Sequence, residues 1–176
     1  GGMKLWLNGY DHYYSAMKHR INQVYAIHVG TPEGLERLKH YLHNHLEGAS
    51  TGGMAFFYAN HVDYPEVLPA GTPEAGKHLI TEFSNTSHSM TIVGYNDQVR
   101  YDFNNDGVYT NHIDINNDGV VDMRDWEIGA LKIANTYSGG VGGGPINWAD
   151  QGFAYVPYRI LAYHNGPGIW DKAAYV

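Results

Sequence analysis

The segments His88-Ser89-Met90-Thr91-Ile92-Val93-Gly94-Tyr95-Asn96 and Ile128-Gly129-Ala130-Leu131-Lys132-Ile133-Ala134-Asn135 decide how this chain folds. In the first, Met90, Ile92 and Gly94 fall on one face and Thr91, Val93 and Tyr95 on the other, the period-two pattern of a strand. The second is short, apolar and of similar length. Between them lie residues rich in Asp, Asn and Gly, which suit a solvent-facing tip better than a core. Pairing the two as an antiparallel hairpin brings their far ends together. His88 lies eight residues before Asn96, and Asn135 seven after Ile128. The open end is therefore expected to set an imidazole beside a carboxamide, which singles out one of 11 histidines.

The tip carries its own signal. Asp102-x-Asn104-x-Asp106-Gly107 is followed by Asp114-x-Asn116-x-Asp118-Gly119-x-x-Asp122-x-x-Asp125. The second run puts side-chain oxygens at loop positions one, three, five, nine and twelve, with Gly at six and the Val120 carbonyl at seven. Calcium takes six to eight hard oxygen ligands, and this spacing curls them about one point. Asp at the twelfth position resembles the dockerin-type and thrombospondin-type variants of the loop. In the first run Thr110 and Ile113 occupy positions nine and twelve. Its expected ligands are Asp102, Asn104, Asp106 and the Val108 carbonyl, with Asp114 shared between two ions. One calcium ion is expected, and a second in the first loop. A merely solvated acidic loop is the competing reading, but so many unpaired carboxylates would repel one another. The two starts are 12 residues apart, too close for an intervening helix, so cohesin binding is not expected and a structural ion is.

That segment also holds most of the charge. Residues 102–125 contain six Asp and one Arg, a balance of −5 out of the net −7 of the 176-residue chain. An acidic chain without basic clusters is a poor nucleic-acid binder. No apolar run reaches the roughly 18–20 residues of a membrane span. Cysteine is absent, which removes disulfides, thiolate metal sites and a thiol nucleophile from these residues.

Elsewhere, Tyr10, Tyr13, Tyr14, Met17 and Ile21 recur at helical spacing and predict a helix over 10–21 with an aromatic face. Val24–Val29 reads as a strand. Thr31 as N-cap, Pro32 at the first position and Gly48 past the end predict a helix over 32–46, with Leu35, Leu38, Leu42 and Leu46 as its apolar stripe. Gly53–Asn60 and Phe153–Tyr158 read as strands, and 61–79, with its Pro and Gly, as a long loop. The fold class is α+β, in one domain spanning 1–176, with helices early and antiparallel strands late. His40, His43 and His45 read as a solvated helix face, the glycines at 139–144 as a flexible loop, and most tyrosines as core or groove wall. No terminal element is recognisable before Val176, so further sequence is expected after it.

The stretch from His88 to Tyr95 resembles the surroundings of the catalytic His of papain-like cysteine peptidases. Lys132-Ile133-Ala134-Asn135-Thr136-Tyr137 resembles that family's "K-N-S-W-G" stretch around the catalytic Asn. Gly152-Phe153-Ala154-Tyr155-Val156 is similar to the "G-Y-x-x-I" strand that follows, and the helix and strand before His88 fit the same order. Residues 102–126 would be a calcium-binding insertion in a connection that is normally short. The resemblance implies the C-terminal, antiparallel barrel-like lobe of an endopeptidase, with His88 as acid/base and Asn135 as its orienter. Tyr137 stands where Trp is usual and Ser138 where Gly is usual. Gly52-Gly53-Met54-Ala55-Phe56 echoes the nucleophile region but lacks the Cys and lies too close to His88. The Cys is therefore expected in an N-terminal half or partner chain, with a peptide or protein as substrate. This chain alone is expected to be inactive. The alternatives are a Cys-free, calcium-stabilised binding module of the same fold, and a calcium-dependent adhesion or carbohydrate-binding domain. Calcium loops of this kind commonly serve outside the cell, so a secreted or surface protein is expected.

Overall fold

Thr31, Pro32 and three leucines account for the best-defined helix. In the computed structural model, which describes residues 10–18, 23–45, 52–60, 66–135, 148–164 and 168–176, α1 is Tyr10–Met17, β1 Ala26–His28 and α2 Pro32–Asn44. The Thr31 hydroxyl accepts from Gly34 N at 3.3 Å, with Pro32 in the first turn. Leu35, Leu38 and Leu42 are buried, each stabilising by about 1.5–3 kcal/mol. The helix ends at Asn44 because His45 turns left-handed (φ 56°) and donates its N–H to Tyr41 O at 2.9 Å. The expected cap, Gly48, and the last stripe residue, Leu46, lie outside the described residues. Gly34 is required by proximity: a Cβ there would sit 1.7 Å from His28 O, so α2 rests directly on β1.

The remaining elements are β2 (Ala55–Asn60), β3 (Glu66–Val67), β4 (His78–Leu79), β5 (Asn85–Arg100), β6 (Ile128–Ala134), β7 (Phe153–Pro157), α3 (Arg159–Ala162) and β8 (Ala173–Tyr175). The strands form one sheet in the order β1-β8-β2-β5-β6-β7-β4-β3. The fold is thus α+β. The barrel-like, wholly antiparallel form expected of it is not what the structure shows. The sheet is open, with the short strands β1 and β3 at opposite edges, and β4 pairs parallel to β7 through Leu79 and Tyr155.

The hairpin is present as expected. β5 and β6 run antiparallel with Thr91 opposite Ala134, Tyr95 opposite Leu131 and Arg100 opposite Ile128. One detail of the alternation differs. A bulge between Ile92 and Gly94 shifts the register, so Ile92 faces Ile133 on the core side while Gly94 faces Lys132. Beyond the bulge Tyr95, not Gly94, packs against the main core. That core joins the α2 leucines to Ala55, Phe57, Met90, Ile92, Leu131, Ile133, Ala154 and Val156. A smaller cluster, Leu68, Leu79, Val99, Ala130 and Tyr155, uses the alternate positions.

Three features departed from sequence expectation. The segment read as a long loop contains the β3–β4 hairpin, with Glu66 opposite Leu79. The C-terminal residues form β8, which pairs with β1 and fills the place between β1 and β2. The helix expected over 10–21 is described only as Tyr10–Met17, and none of its residues is buried. Among the described residues no helix is long and apolar enough to cross a membrane.

Candidate functional site: a His–Asn pair and two acidic turns

His88 sits near the start of β5, one residue before Ser89, which pairs with Tyr58 of β2. Asn135 directly follows β6, and its backbone N–H donates to Gly152 O at 2.9 Å. The two side chains meet at the open end of the hairpin, with His88 Nε2 2.8 Å from Asn135 Oδ1. A carboxamide oxygen can only accept, so Nε2 carries the proton and Nδ1 is the basic nitrogen of the ring. Asn135 is buried and His88 half-buried. The arrangement fixes an imidazole in one tautomer and one orientation, as general acid–base chemistry requires. Thr136, Tyr137, Ser138 and the glycines at 139–144 lie outside the described residues.

At the other end of the hairpin the two Asp/Asn turns repeat one pattern of hydrogen bonds. In the first, Asp102 accepts from Asp106 N (3.2 Å) and Gly107 N (2.8 Å), Asn104 Oδ1 from Asp106 N (3.2 Å), and Asp106 from Val108 N (2.7 Å). In the second, Asp114 accepts from Asp118 N (3.3 Å) and Gly119 N (2.8 Å), Asn116 Oδ1 from Asp118 N (2.9 Å), and Asp118 from Val120 N (3.0 Å). Asn105 and Asn117 both have φ 60°, and Gly107 and Gly119 have φ 81° and 87°, which explains Gly at the sixth position. The spacing thus yields two turns of one geometry, each gathering the side-chain oxygens of two Asp and one Asn around backbone N–H groups.

The parallel extends to the buried carboxylates that close the two loops, of which only Asp125 was in the spacing. Asp125, fully buried, accepts from Ile115 N (3.1 Å), Asn116 N (3.2 Å) and Asp122 N (2.9 Å), tying positions two, three and nine of the second loop. Glu127, 2% exposed, does the same for the first, accepting from Phe103 N (2.8 Å) and Thr110 N (3.1 Å), its positions two and nine. Sequence reasoning missed Glu127, because it is 25 residues from Asp102 and fits no loop spacing. Its only sequence signal is an acid at the threshold of an apolar strand. Asn111 secures the crossing: its Oδ1 accepts from Glu127 N (3.0 Å) and Ile128 N (2.9 Å).

Two expected ligands are engaged differently. Asp114 has both oxygens committed to the second turn. Asp122 caps the 3-10 turn Met123–Asp125 and accepts from the Arg124 backbone N (2.8 Å), Nε (3.0 Å) and Nη2 (2.7 Å). The hydrogen bonds from Arg124 hold the Asp122 carboxyl below its ordinary range. Arg124 also reaches Asp118 at 2.6 Å. Among the described residues no group of three His, Cys, Asp or Glu side chains is placed to hold a metal ion. Each turn instead gathers carboxylate and Asn oxygens, which are of the kind calcium takes.

One further titratable pair was not foreseen: His78 Nδ1 lies 2.9 Å from Asp150 Oδ1, and His78 N donates to Oδ2 at 2.8 Å, bracing β4 against the bend before β7. Comparison of the chain with protein-family models, with curated proteins and with solved structures found no match.

Proposed function

We propose that this chain is the His/Asn-bearing portion of a papain-like cysteine endopeptidase, stabilised by calcium at the tip of its β5–β6 hairpin. The observation that carries the reading is the 2.8 Å contact between His88 Nε2 and Asn135 Oδ1 at the open end of that hairpin. With Nε2 committed to Asn135, Nδ1 is the atom that exchanges protons with the chemistry. A Cys thiolate from an N-terminal half or partner chain adds to the scissile carbonyl of an extended peptide. His88 Nδ1, having taken the thiol's proton to leave that thiolate, gives it to the leaving amine, then takes one from the water that cleaves the thioester and returns it to the departing sulfur. Asn135 keeps the ring in register for both steps.

Asp102, Asn104, Asp106, the Val108 carbonyl and Glu127 would hold one calcium ion. Asp114, Asn116, Asp118, the Val120 carbonyl and Asp125 would hold the other, and the chemistry of both donor sets suits it. Calcium would supply charge neutralisation there, which would hold the tip closed and support the strand register that aligns His88 with Asn135. A secreted or surface location accords with such sites.

A second reading is favoured by the absence of any Cys from the 176 residues: a non-catalytic, calcium-stabilised binding module of the same fold. The experiment that separates them replaces His88 by Ala in the protein as it occurs naturally. Peptide turnover present in the wild type and lost in His88→Ala supports the peptidase. A protein that incorporates no carbamidomethyl group from iodoacetamide and turns over no peptide supports the binding module.

A further inference from the structure

The sheet face opposite the main core carries a small cavity of 160 Å³, lined by Lys77, Lys132, Asp150, Phe153, Ala154 and Tyr155. Strand register explains the lining. Lys132 of β6 lies opposite Tyr155 of β7, and Ala134 opposite Phe153, so the lysine and both rings share one face. Lys132 Nζ sits 5.4 Å from the centre of the Phe153 ring and 5.8 Å from that of Tyr155, held by two cation–π contacts. Among the described residues neither Lys132 nor Lys77 has an ion-pair partner. The carboxylate of the wall is built in from β4. Asp150 Oδ2 accepts from His78 N at 2.8 Å and Oδ1 from His78 Nδ1 at 2.9 Å, which fixes both oxygens and leaves each a further lone pair. The Tyr155 hydroxyl adds no charge: burial and the carboxylate of Glu74 push its pKa up to about 12. The wall thus presents charge of both signs, with no lysine neutralising the carboxylate.

We propose that this cavity binds a free α-amino acid with a small apolar side chain, as the zwitterion. Its volume corresponds to about five waters at ~30 Å³ each, well under the roughly 300–1,000 Å³ of ordinary cofactor sites. It is too small for a nucleotide and admits a small amino acid. The two charges of such a ligand are one carbon apart, and a wall that offers both signs at short range meets them together. The ligand carboxylate takes the ammonium groups of Lys132 and Lys77, and its own ammonium takes the remaining lone pairs of Asp150. A simple anion would set a like charge against Asp150, and a simple cation would face two lysines, so the zwitterion is favoured over either. The ligand side chain leans on the Phe153 ring, which is 40% exposed. This inference is independent of the peptidase and calcium readings.

The test is a calorimetric titration of the chain, near neutral pH, with L-alanine, with alaninamide and with N-acetylalanine. The amide lacks the carboxylate charge and the N-acetyl form lacks the ammonium. Alanine is expected to bind saturably and each derivative at least about tenfold more weakly, the worth of one charged hydrogen bond. Lys132→Met keeps a stem between the rings and removes the charge. It is expected to weaken alanine by about tenfold and to leave alaninamide, which has no carboxylate to lose, unaffected. Asp150→Asn is expected to weaken alanine similarly and to leave N-acetylalanine unaffected. Because Lys132 takes no part in the brace between His78 and Asp150, its variant decides the matter even if Asp150→Asn unfolds. Alanine that gives no saturable heat, either derivative binding as tightly as alanine, or an alanine affinity unchanged in Lys132→Met overturns the proposal.

Discussion

Removing the Glu127 carboxylate tests whether the first acidic turn is organised as described. Glu127 is 2% exposed, and its two oxygens accept from Phe103 N at 2.8 Å and Thr110 N at 3.1 Å. Glu127→Ala leaves both donors without their acceptor in a buried setting, at roughly 1–3 kcal/mol each and not strictly additive. A loss of about 3–4 kcal/mol is therefore expected, a large part of the roughly 5–15 kcal/mol that holds a domain together. At about 2–4 °C per kcal/mol for a chain of this size, the melting temperature falls by roughly 6–16 °C. Glu127→Gln keeps the shape and one acceptor oxygen, so its loss is about half as large. The assay is urea unfolding of wild type and both variants, in calcium and in EGTA. The deficit is expected in both conditions and, on the proposed calcium binding, to be larger in calcium, because the variant would also lose a ligand. A Glu127→Ala protein within about 0.5 kcal/mol of wild type in both would refute the assignment, since that is the range of inert surface changes.

Other consequences are open to direct measurement. EGTA is expected to lower the melting temperature and added calcium to restore it; at a hundredfold excess over Kd one ion contributes about 2.7 kcal/mol. An unchanged melting curve would exclude calcium from both turns. Asp122, whose folded pKa is depressed by its hydrogen bonds from Arg124, contributes stability above its unfolded value near about 3.9 and loses it as the pH falls through the lower folded value. Asp122→Asn should flatten the stability profile in that acidic window and leave its slope near neutrality unchanged, as read by urea unfolding across the range. Asp97 accepts from Tyr158 OH at 2.7 Å and pairs with Lys39 at 2.9 Å, joining β5, α3's approach and α2. Asp97→Ala is expected to cost about 1–3 kcal/mol, with most of the loss recovered in Tyr158→Phe/Asp97→Ala, because the orphaned hydroxyl is removed too.

The hairpin was legible because two apolar, strand-patterned segments flank a segment too rich in Asp, Asn and Gly to continue either of them, although one of its residues, Met123, does reach the core. The capped helix was legible because Thr31, Pro32 and the leucine spacing agree. The bulge after Ile92 was not, since a one-residue shift leaves the composition of a strand unchanged while exchanging the faces of everything beyond it. Nor were β3, β4 and β8: strands of two or three residues carry too little pattern to stand out, and they exist because longer neighbours supply the partners. At the site, Asp102 and Asp114 could be read from local spacing because each turn is closed within six residues. Glu127 could not. It reaches the first turn across the whole of the second, and only the fold puts it there. Nor could the hydrogen bonds from Arg124 to Asp122, because spacing counts oxygens and does not show what donates to them.

The crossing at the base of the acidic segment has a consequence for its origin and use. Arg100 and Ile128 are direct partners across the hairpin, and Tyr101 N still donates to Glu127 O at 3.0 Å. The segment therefore departs from and returns to the same rung of the ladder. It contains both turns and, in Asp125 and Glu127, the carboxylates that close them. Chain that leaves and re-enters at adjacent strand positions, about 5 Å apart, can be replaced by a tight turn without moving the strands. Residues 101–127 thus enter and leave the sheet at one rung, yet they are not a detachable cassette: Met123 is buried in the main core and Trp126 packs against it, so excision would spare the ladder and leave a void in the core.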